Sequence, residues 1–379
     1  MPRLGGHRVP QTGSRVGPAI GLAAHLGRCL QRVTTDLALG RTRSLPRTIA
    51  DLDARFLSRV MGATVASASV LDGDAGTSSR ARLALTGDGV PDSVFVKMPA
   101  ETVATRLMGE VGRLARTETL FYDDIAAQLT GVPKCHGSVF DSLTGRFVLV
   151  LEDLAVDHCV FPDTLHPLSP DQAAQVVDVL GRLHGRFWER VPNWAYTPSG
   201  DSTTLIVGSM AKVSARRLAE TTDIPVGNGR FLMENNLAIA RLVDRPPHTV
   251  VHGDAHPGNV YFRNGEAGLL DWQAVRRGNP ARELAYTLIT GMTTADRRAH
   301  QRDLLDVYRA ALTAAGGPEL ARDDLWSRYR MGAQYPFIAT LIVAGAGGMQ
   351  AETIALEGLR RSTAALDDLD TVALLRASL

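Results

Sequence analysis

Residues 250–272 read VVHGDAHPGNVYFRNGEAGLLDW. Two histidines, two aspartates, an asparagine and a tryptophan stand among apolar runs such as Val250-Val251 and Leu269-Leu270. A core strand has no use for carboxylates, and a surface loop has no use for flanking apolar pairs. The stretch reads as charge held at the edge of a packed core. Asn264-Gly265, between VYF and AGLLD, is a strong two-residue hairpin signal, because both residues tolerate the positive φ of a type I′ turn. Such a hairpin brings Asn259, before one arm, near Asp271, after the other.

Asp254 precedes Asn259 by five residues, the Asp-to-Asn spacing of the catalytic loop in protein kinases. Phosphoryl transfer needs such a set. One carboxylate orients the attacking hydroxyl and accepts its proton, while an amide oxygen and a second carboxylate hold Mg²⁺, a hard cation that prefers oxygen. A polar turn before an ordinary hairpin would explain Asp and Asn alone. It would not explain their spacing, or Asp271 directly after an apolar run.

Lys97 ends SVFVK in a chain with only three lysines, Lys97, Lys134 and Lys212, against 38 arginines. A lone lysine is usually a solvated strand end. A compact ammonium, however, is a different ligand from a guanidinium fork. A strand-borne lysine that reaches nucleotide phosphates pairs with a glutamate on the following helix, and Glu118 is the first choice for that partner, Glu110 the second. LDGDAGTSSRARL, residues 71–83, holds a loose glycine turn whose Gly76, Thr77, Ser78 and Ser79 are candidates for cradling phosphates. It lacks a full GxGxxG, and an ordinary hairpin turn fits it as well. His252 and His256 are four apart without a third zinc ligand at fitting spacing, so His252 is expected to pack beneath the loop. His184, on a helical stripe, reads as a satisfied core histidine.

The chain has 379 residues, 45% hydrophobic, with net charge +1. That suffices for a large core in two or three domains or lobes and argues against a dedicated nucleic-acid binder. Residues 1–47 carry eight Arg and one acid, Asp36, so the segment is +7 and the remainder −6. An arginine-rich, acid-poor start can be a transit peptide. In a chain this rich in arginine, a basic arm or helix is the preferred reading. Three scattered cysteines give no disulfide framework and suit a reducing compartment. The longest apolar run, residues 336–349, is too short and glycine-rich to span a membrane. A cytoplasmic protein without a membrane span is expected.

Along the chain, a helix is expected near residues 19–39, and another over 43–62 with Leu52, Phe56 and Val60 at four-residue steps. ATVASASVL, RARLALTG and SVFVKM then read as an antiparallel sheet with Gly/Asp/Ser turns. Residues 104–129 have one continuous helical period, and RFVLVLEDL is a strand. From Ser169, where SPDQ forms a capping box with proline at the first helical position, the signals become mostly helical.

HGDAHPGNV followed by LLDW resembles the catalytic and metal loops of the aminoglycoside phosphotransferase/choline kinase-like superfamily. VLEDL, residues 150–154, resembles its hinge. RLHGRFW, residues 182–188, and HQRDLLDVYRAAL, residues 300–312, are similar to the ecdysteroid kinase-like branch. The resemblance covers roughly residues 50–330. It implies an α+β, two-lobed protein-kinase-like fold, with a five-stranded antiparallel N-lobe over residues 48–152 and a larger, mainly helical C-lobe over 153–379. It implies ATP and Mg²⁺ as cofactors, with Asp254 as catalytic base, Asn259 and Asp271 as metal ligands, and Lys97, held by Glu118, on the phosphates. Glu152 and Leu154 would lie at the adenine. Trp272 stands where protein kinases usually have Phe, and Glu283 where the family usually has an Asp supporting the catalytic loop. The expected partner is a small-molecule hydroxyl acceptor, with the branch pointing to a hydrophobic alcohol. Aminoglycosides, amino alcohols, or a nucleotide-binding scaffold without turnover are the alternatives. Pro280 follows Asp271 too closely for the long activation segment of a protein-directed kinase.

Overall fold

The structure is a computed structural model that describes residues 16–39, 45–197, 203–348 and 350–379. Residues 1–15 and 40–44 of the expected basic arm lie outside the described residues.

Helix α1 (Val16–Leu39) comes first, followed by α2 (Ala54–Met61). The helix expected over 43–62 is therefore short. A 3-10 turn at Ile49–Asp51 precedes it, and Asp53 starts it by accepting the amide of Phe56. Strands β1 (Thr64–Ala75), β2 (Ser78–Asp88) and β3 (Ser93–Pro99) form the meander that the turn residues announce. Next come helices α3 (Val103–Val111) and α4 (Leu114–Asp124), then strands β4 (Cys135–Phe140) and β5 (Phe147–Glu152). The five strands make one antiparallel sheet in the order β1-β2-β3-β5-β4.

Side chains alternate across a strand, and the sheet uses both faces. Val94, Val96, Met98, Leu83 and Val150 pack with Phe56 and Leu57 of α2. Each such fully buried side chain contributes about 1.5–3 kcal/mol. Phe95 and Lys97 point the other way, paired in register with Leu151 and Leu149 of β5 and with Arg82 and Arg80 of β2. Period two alone thus puts Lys97 on the face opposite α2.

The single helix expected over 104–129 is a correction: the structure has two helices. Gly112 caps α3, and Arg113 adopts a left-handed backbone (φ 58°) before α4. The apolar spacing continues across the break, which hides it from a periodicity argument.

The remaining chain is larger and mainly helical. Its helices are α5 (Pro170–Arg186), α6 (Thr203–Thr221), α7 (Arg230–Glu234) and α8 (Asn236–Val243). Short strands follow, β6 (Thr249–Val251), β7 (Val260–Arg263), β8 (Glu266–Leu269) and β9 (Arg276–Gly278). Helices α9 (Pro280–Gly291), α10 (Thr294–Ala314), α11 (Arg322–Gly332), α12 (Gln334–Ala346), α13 (Glu352–Asp368) and α14 (Thr371–Ser378) complete it. Helices α5 and α10 approach closely because Gly181 and Gly185 leave no room for a Cβ: it would meet Tyr308 O at 2.9 Å and Leu312 O at 2.4 Å. Buried α9 runs beneath β6 and the loop that follows it. A second core gathers Phe337, Ile338 and Leu341 of α12 against α6, α8 and α13. Among the described residues no helix is long and apolar enough to cross a membrane.

Helix α1 docks on the sheet side. His25, Cys29, Val33 and Asp36 are buried, and Asp36 accepts hydrogen bonds from both Arg106 and Arg146. Arg32 pairs with Glu110 at 3.0 Å.

Candidate active site

The loop between β6 and β7 carries HGDAHPGN. Gly253 turns it at φ 86°, and a Cβ there would lie 2.2 Å from the carbonyl oxygen of Ala274. His252 is buried, and burial holds its imidazole below the usual histidine range. The neutral ring accepts the Asp254 amide on Nδ1 at 3.2 Å and donates from Nε2 to the Leu270 carbonyl at 3.0 Å. It therefore ties the Asp254 loop to the residue before Asp271.

Glu283, on α9, accepts the amides of both His252 and Gly253. Burial alone would raise its pKa. The hydrogen bond from His184 at 2.8 Å outweighs that and keeps the carboxyl below its ordinary range. His184 in turn receives the Tyr308 hydroxyl on its other nitrogen, 3.1 Å away. The extra methylene of Glu over Asp is used to span the distance from α9 to the loop backbone.

Asn259 donates Nδ2 to the Asp254 carbonyl at 2.9 Å, which leaves Oδ1 as its remaining acceptor. Its own carbonyl takes the Leu270 amide at 3.0 Å, so the two arms of the β7–β8 hairpin start and finish side by side. Asn264 (φ 53°) and Gly265 (φ 84°) supply the tight turn. Asp271 follows at φ 64°, a left-handed position uncommon for a residue with a side chain.

Lys97 Nζ lies 2.7 Å from Glu118 of α4 and 2.8 Å from Asp271 Oδ1. Glu110, the alternative partner, is turned away to Arg32. Burial would lower the Lys97 pKa, but the carboxylates of Asp271 and Glu118 hold the ammonium above its usual value. Burial would raise Asp271, and Lys97 holds it below the carboxylate range instead. Trp272 stacks on Phe121 of α4 with ring centroids 4.0 Å apart and planes 7° off parallel. Glu118 and Phe121 are three apart and share a helix face, so α4 grips both Lys97 and the Asp271 loop.

A cavity of about 280 Å³ opens between the sheet and the helical part. Lys97, Glu118 and Asp271 line one end, and Glu152 and Leu154 another, with Phe95, Leu151 and Phe161 as apolar wall. Glu152 is itself engaged, with Arg263 at 2.9 Å and the Lys134 amide at 3.1 Å. Gly76 and Thr77 are exposed at the β1–β2 turn, while Ser78 and Ser79 are buried. The Ser79 hydroxyl has no partner among the described residues. Thr77 touches Gln273 at 3.5 Å, and Gln273 donates to Asp271 at 3.2 Å.

The donor set suits a divalent cation and a triphosphate. Burial raises the Glu118 carboxyl to about 7 although the Lys97 charge opposes it, and Asn259 and Asp271 offer the oxygen ligands that Mg²⁺ prefers. Among the described residues, no three His, Cys, Asp or Glu cluster as a metal site.

Sequence reasoning did not single out Tyr286, whose hydroxyl lies 3.0 Å from Asp254 Oδ1. It also missed Arg276 and Tyr335, which both donate to the Gly253 carbonyl, and Gln273. Tyr286 carried a usable signal, since it follows Glu283 by three residues in a helical segment. Arg276 lies only five residues after Asp271 but its β9 pairing with Val251 had no signal, and Tyr335 comes from distant α12.

Residues 73–330 match the phosphotransferase enzyme family. Among solved structures, the fold is similar to an ethanolamine kinase from Plasmodium vivax. The match has 12% identity and a TM-score of 0.50, and covers 82% of this chain and 83% of that one. Choline kinase LicA from Streptococcus pneumoniae matches at 15% identity and TM-score 0.49, over 81% of this chain and 94% of that one. An ADP-bound aminoglycoside phosphotransferase, APH(2'')-Ib, matches at 17% and 0.43, over 82% and 97%. No curated protein sequence matches the chain.

Proposed function

The chain belongs to the phosphotransferase enzyme family, and on that premise we propose that it moves the terminal phosphoryl group of ATP to a hydroxyl of a small molecule. The observation that carries this is the contact of Lys97 with both Glu118 and Asp271, which ties sheet, helix and hairpin loop at one end of a single cavity. In this reading residues 48–152 form the nucleotide lobe and 153–379 the catalytic lobe, and the enzyme works in the cytoplasm. The free state of Cys29, Cys135 and Cys159 supports that compartment.

Lys97 holds phosphate oxygens, and Glu118 keeps the ammonium in place. Glu152 and Leu154 flank the base at the hinge. Gly76, Thr77, Ser78 and Ser79 close over the phosphates. Asn259 Oδ1 and the Asp271 carboxylate would hold Mg²⁺, which when bound neutralises phosphate charge. Asp254 accepts the proton of the acceptor hydroxyl as its oxygen attacks the γ-phosphorus, and the bond to the β-phosphate oxygen breaks with its electron pair leaving on ADP. His252 and Glu283 hold the loop still, so that alignment precedes reaction.

For the acceptor, a hydrophobic alcohol is favoured, as the ecdysteroid kinase-like resemblance of residues 182–188 and 300–312 implies. Among the described residues, Asp254 has no second carboxylate among its polar partners. Nearby, Tyr335 already carries the Arg276 and Arg282 guanidiniums 5.3 and 4.3 Å from its ring centroid. A polycation would find little opposite charge there. Amino alcohols and amino sugars, the acceptors named for the structural neighbours, are the second reading.

The test is ³¹P NMR of the protein with Mg-ATP and a panel of sterols, long-chain alcohols, choline, ethanolamine and aminoglycosides. A new phosphate ester that Asp254→Asn abolishes, with nucleotide binding kept, is the expected result. Esters formed only from amino sugars or amino alcohols would overturn the apolar acceptor. Nucleotide binding without Asp254-dependent turnover would leave a nucleotide-binding scaffold, and unaffected ATP signals would overturn the site.

A further inference from the structure

Helix α9 presents three polar side chains to the catalytic loop at positions i, i+3 and i+4, which lie on one face. Glu283 takes the amides of His252 and Gly253. Tyr286 donates to Asp254 Oδ1 at 3.0 Å. Thr287 donates to the Ala255 carbonyl at 2.8 Å. Four successive loop residues are thus held from one helical face. Of these contacts, three are to backbone and one is to a side chain, that of Asp254.

Tyr286 is built to hold its position. It is buried, and its ring packs edge-on against Tyr335 and His256, with centroids 5.1 and 6.3 Å away. Burial and the neighbouring Asp254 charge push its phenol well above the usual tyrosine range, so the hydroxyl keeps its proton and donates.

The two oxygens of Asp254 are treated unequally. Oδ1 receives the Tyr286 hydroxyl. Among the described residues, Oδ2 has only long neighbours, Asn259 Nδ2 at 3.4 Å and His256 Nε2 at 3.9 Å. We propose that Tyr286 is a positioning residue for phosphoryl transfer: by holding Oδ1 it fixes the carboxylate plane and leaves Oδ2 as the oxygen that meets the acceptor hydroxyl. This rests on the kinase reading above. No bond forms or breaks at Tyr286, and the acceptor proton passes to Oδ2. The terminal torsion of an aspartate is broad. Without the tyrosine hydroxyl the carboxylate swings, and alignment is lost while nucleotide binding is not.

Tyr286→Phe removes one oxygen and keeps the ring. Mg-ATP turnover, to an acceptor from the panel or to water, is measured for wild type, Asp254→Asn, Tyr286→Phe and Tyr329→Phe. The last deletes a buried hydroxyl that contacts Gln301, away from the loop. The expected result is a fall in kcat of about 10- to 100-fold for Tyr286→Phe, with KM for Mg-ATP and the unfolding midpoint near wild type. Tyr329→Phe keeps wild-type kcat. An unchanged kcat in Tyr286→Phe overturns the proposal. So does a loss shared by KM and the unfolding midpoint, or failure to fold, because the hydroxyl is then structural. A wild type without Asp254-dependent turnover overturns the kinase reading and the positioning role with it, and that outcome is visible before Tyr286 is changed.

Discussion

Asp271 reaches out of the β7–β8 hairpin to place Oδ1 2.8 Å from Lys97 Nζ on strand β3, 174 residues earlier. Lys97 is 4% exposed and Glu118, its other partner, 1% exposed. A Lys97–Glu118 pair this dry is costly to break on one side, because the remaining group keeps its desolvation penalty without its counter-ion.

Lys97→Met is therefore expected to act twice. Removing the phosphate ligand should lower turnover by two or more orders of magnitude, since electrostatic positioning supplies most of the rate in phosphoryl transfer. Leaving Glu118 and Asp271 facing each other should cost about 3–5 kcal/mol of stability. Denaturant titration read beside the turnover assay separates the two effects. Lys97→Arg should not rescue turnover, because a planar fork cannot replace a point ammonium between two carboxylates.

Glu283→Gln tests the support beneath the loop. The amide keeps one acceptor oxygen but turns an NH₂ toward a group that also donates. A buried donor left unmatched costs about 1–3 kcal/mol. A lower unfolding midpoint and a fall in kcat exceeding any change in KM are expected. Wild-type values on both would mean that the two loop amides find other acceptors.

Gly253→Ala should be worse than its size suggests. The new methyl would stand 2.2 Å from the Ala274 carbonyl oxygen, at φ 86°. The clash adds to a left-handed penalty of about 1–2 kcal/mol. Loss of turnover with a lowered midpoint by circular dichroism is the expected pair of results.

Asp36 gives a pH signature. Burial would raise its carboxyl, but hydrogen bonds from Arg146 and Arg106 prevail and depress it below 3.8. A depressed acid contributes stability that is present above its unfolded pKa and is lost as pH falls through the folded one. The wild-type advantage over Asp36→Asn should thus be constant above about pH 5 and shrink once the pH drops below about 4. Amide exchange in α1, followed over that range, is the measurement. An advantage that does not change with pH would mean that the charge of Asp36 does no holding.

Legibility in the sequence followed the range of the interaction. Asn264-Gly265 and Ser169-Gln172 were readable because turn and cap chemistry is local, and the structure has the hairpin and the capping box there. Strand β3 was readable because one alternation in SVFVKM assigns every side chain to a face. Strand β4, partly buried along its whole length, has no contrast to read. The break at Gly112-Arg113 was invisible because an arginine took the left-handed position that glycine usually marks. At the site, Asp254, Asn259 and Asp271 lie within eighteen residues of one another, and their spacing carried the reading. The triad of Lys97, Glu118 and Asp271 needed a known arrangement to be anticipated, since no local rule joins its members. Arg276 reaches the Gly253 carbonyl through the pairing of β9 with β6, and Tyr335 through the packing of α12 against α9, neither of which sequence periods specify.

The docking of α1 bears on how shortened forms of this protein are to be understood. Cutting ahead of residue 45 would take Asp36 away and leave Arg106 and Arg146, two guanidiniums almost sealed from water, repelling each other inside the sheet lobe. The same cut would free Glu110 from Arg32 one turn before the helix that carries Glu118. An inert truncate would then report a damaged wall rather than a missing switch, and only a form with α1 intact can report what the preceding residues do.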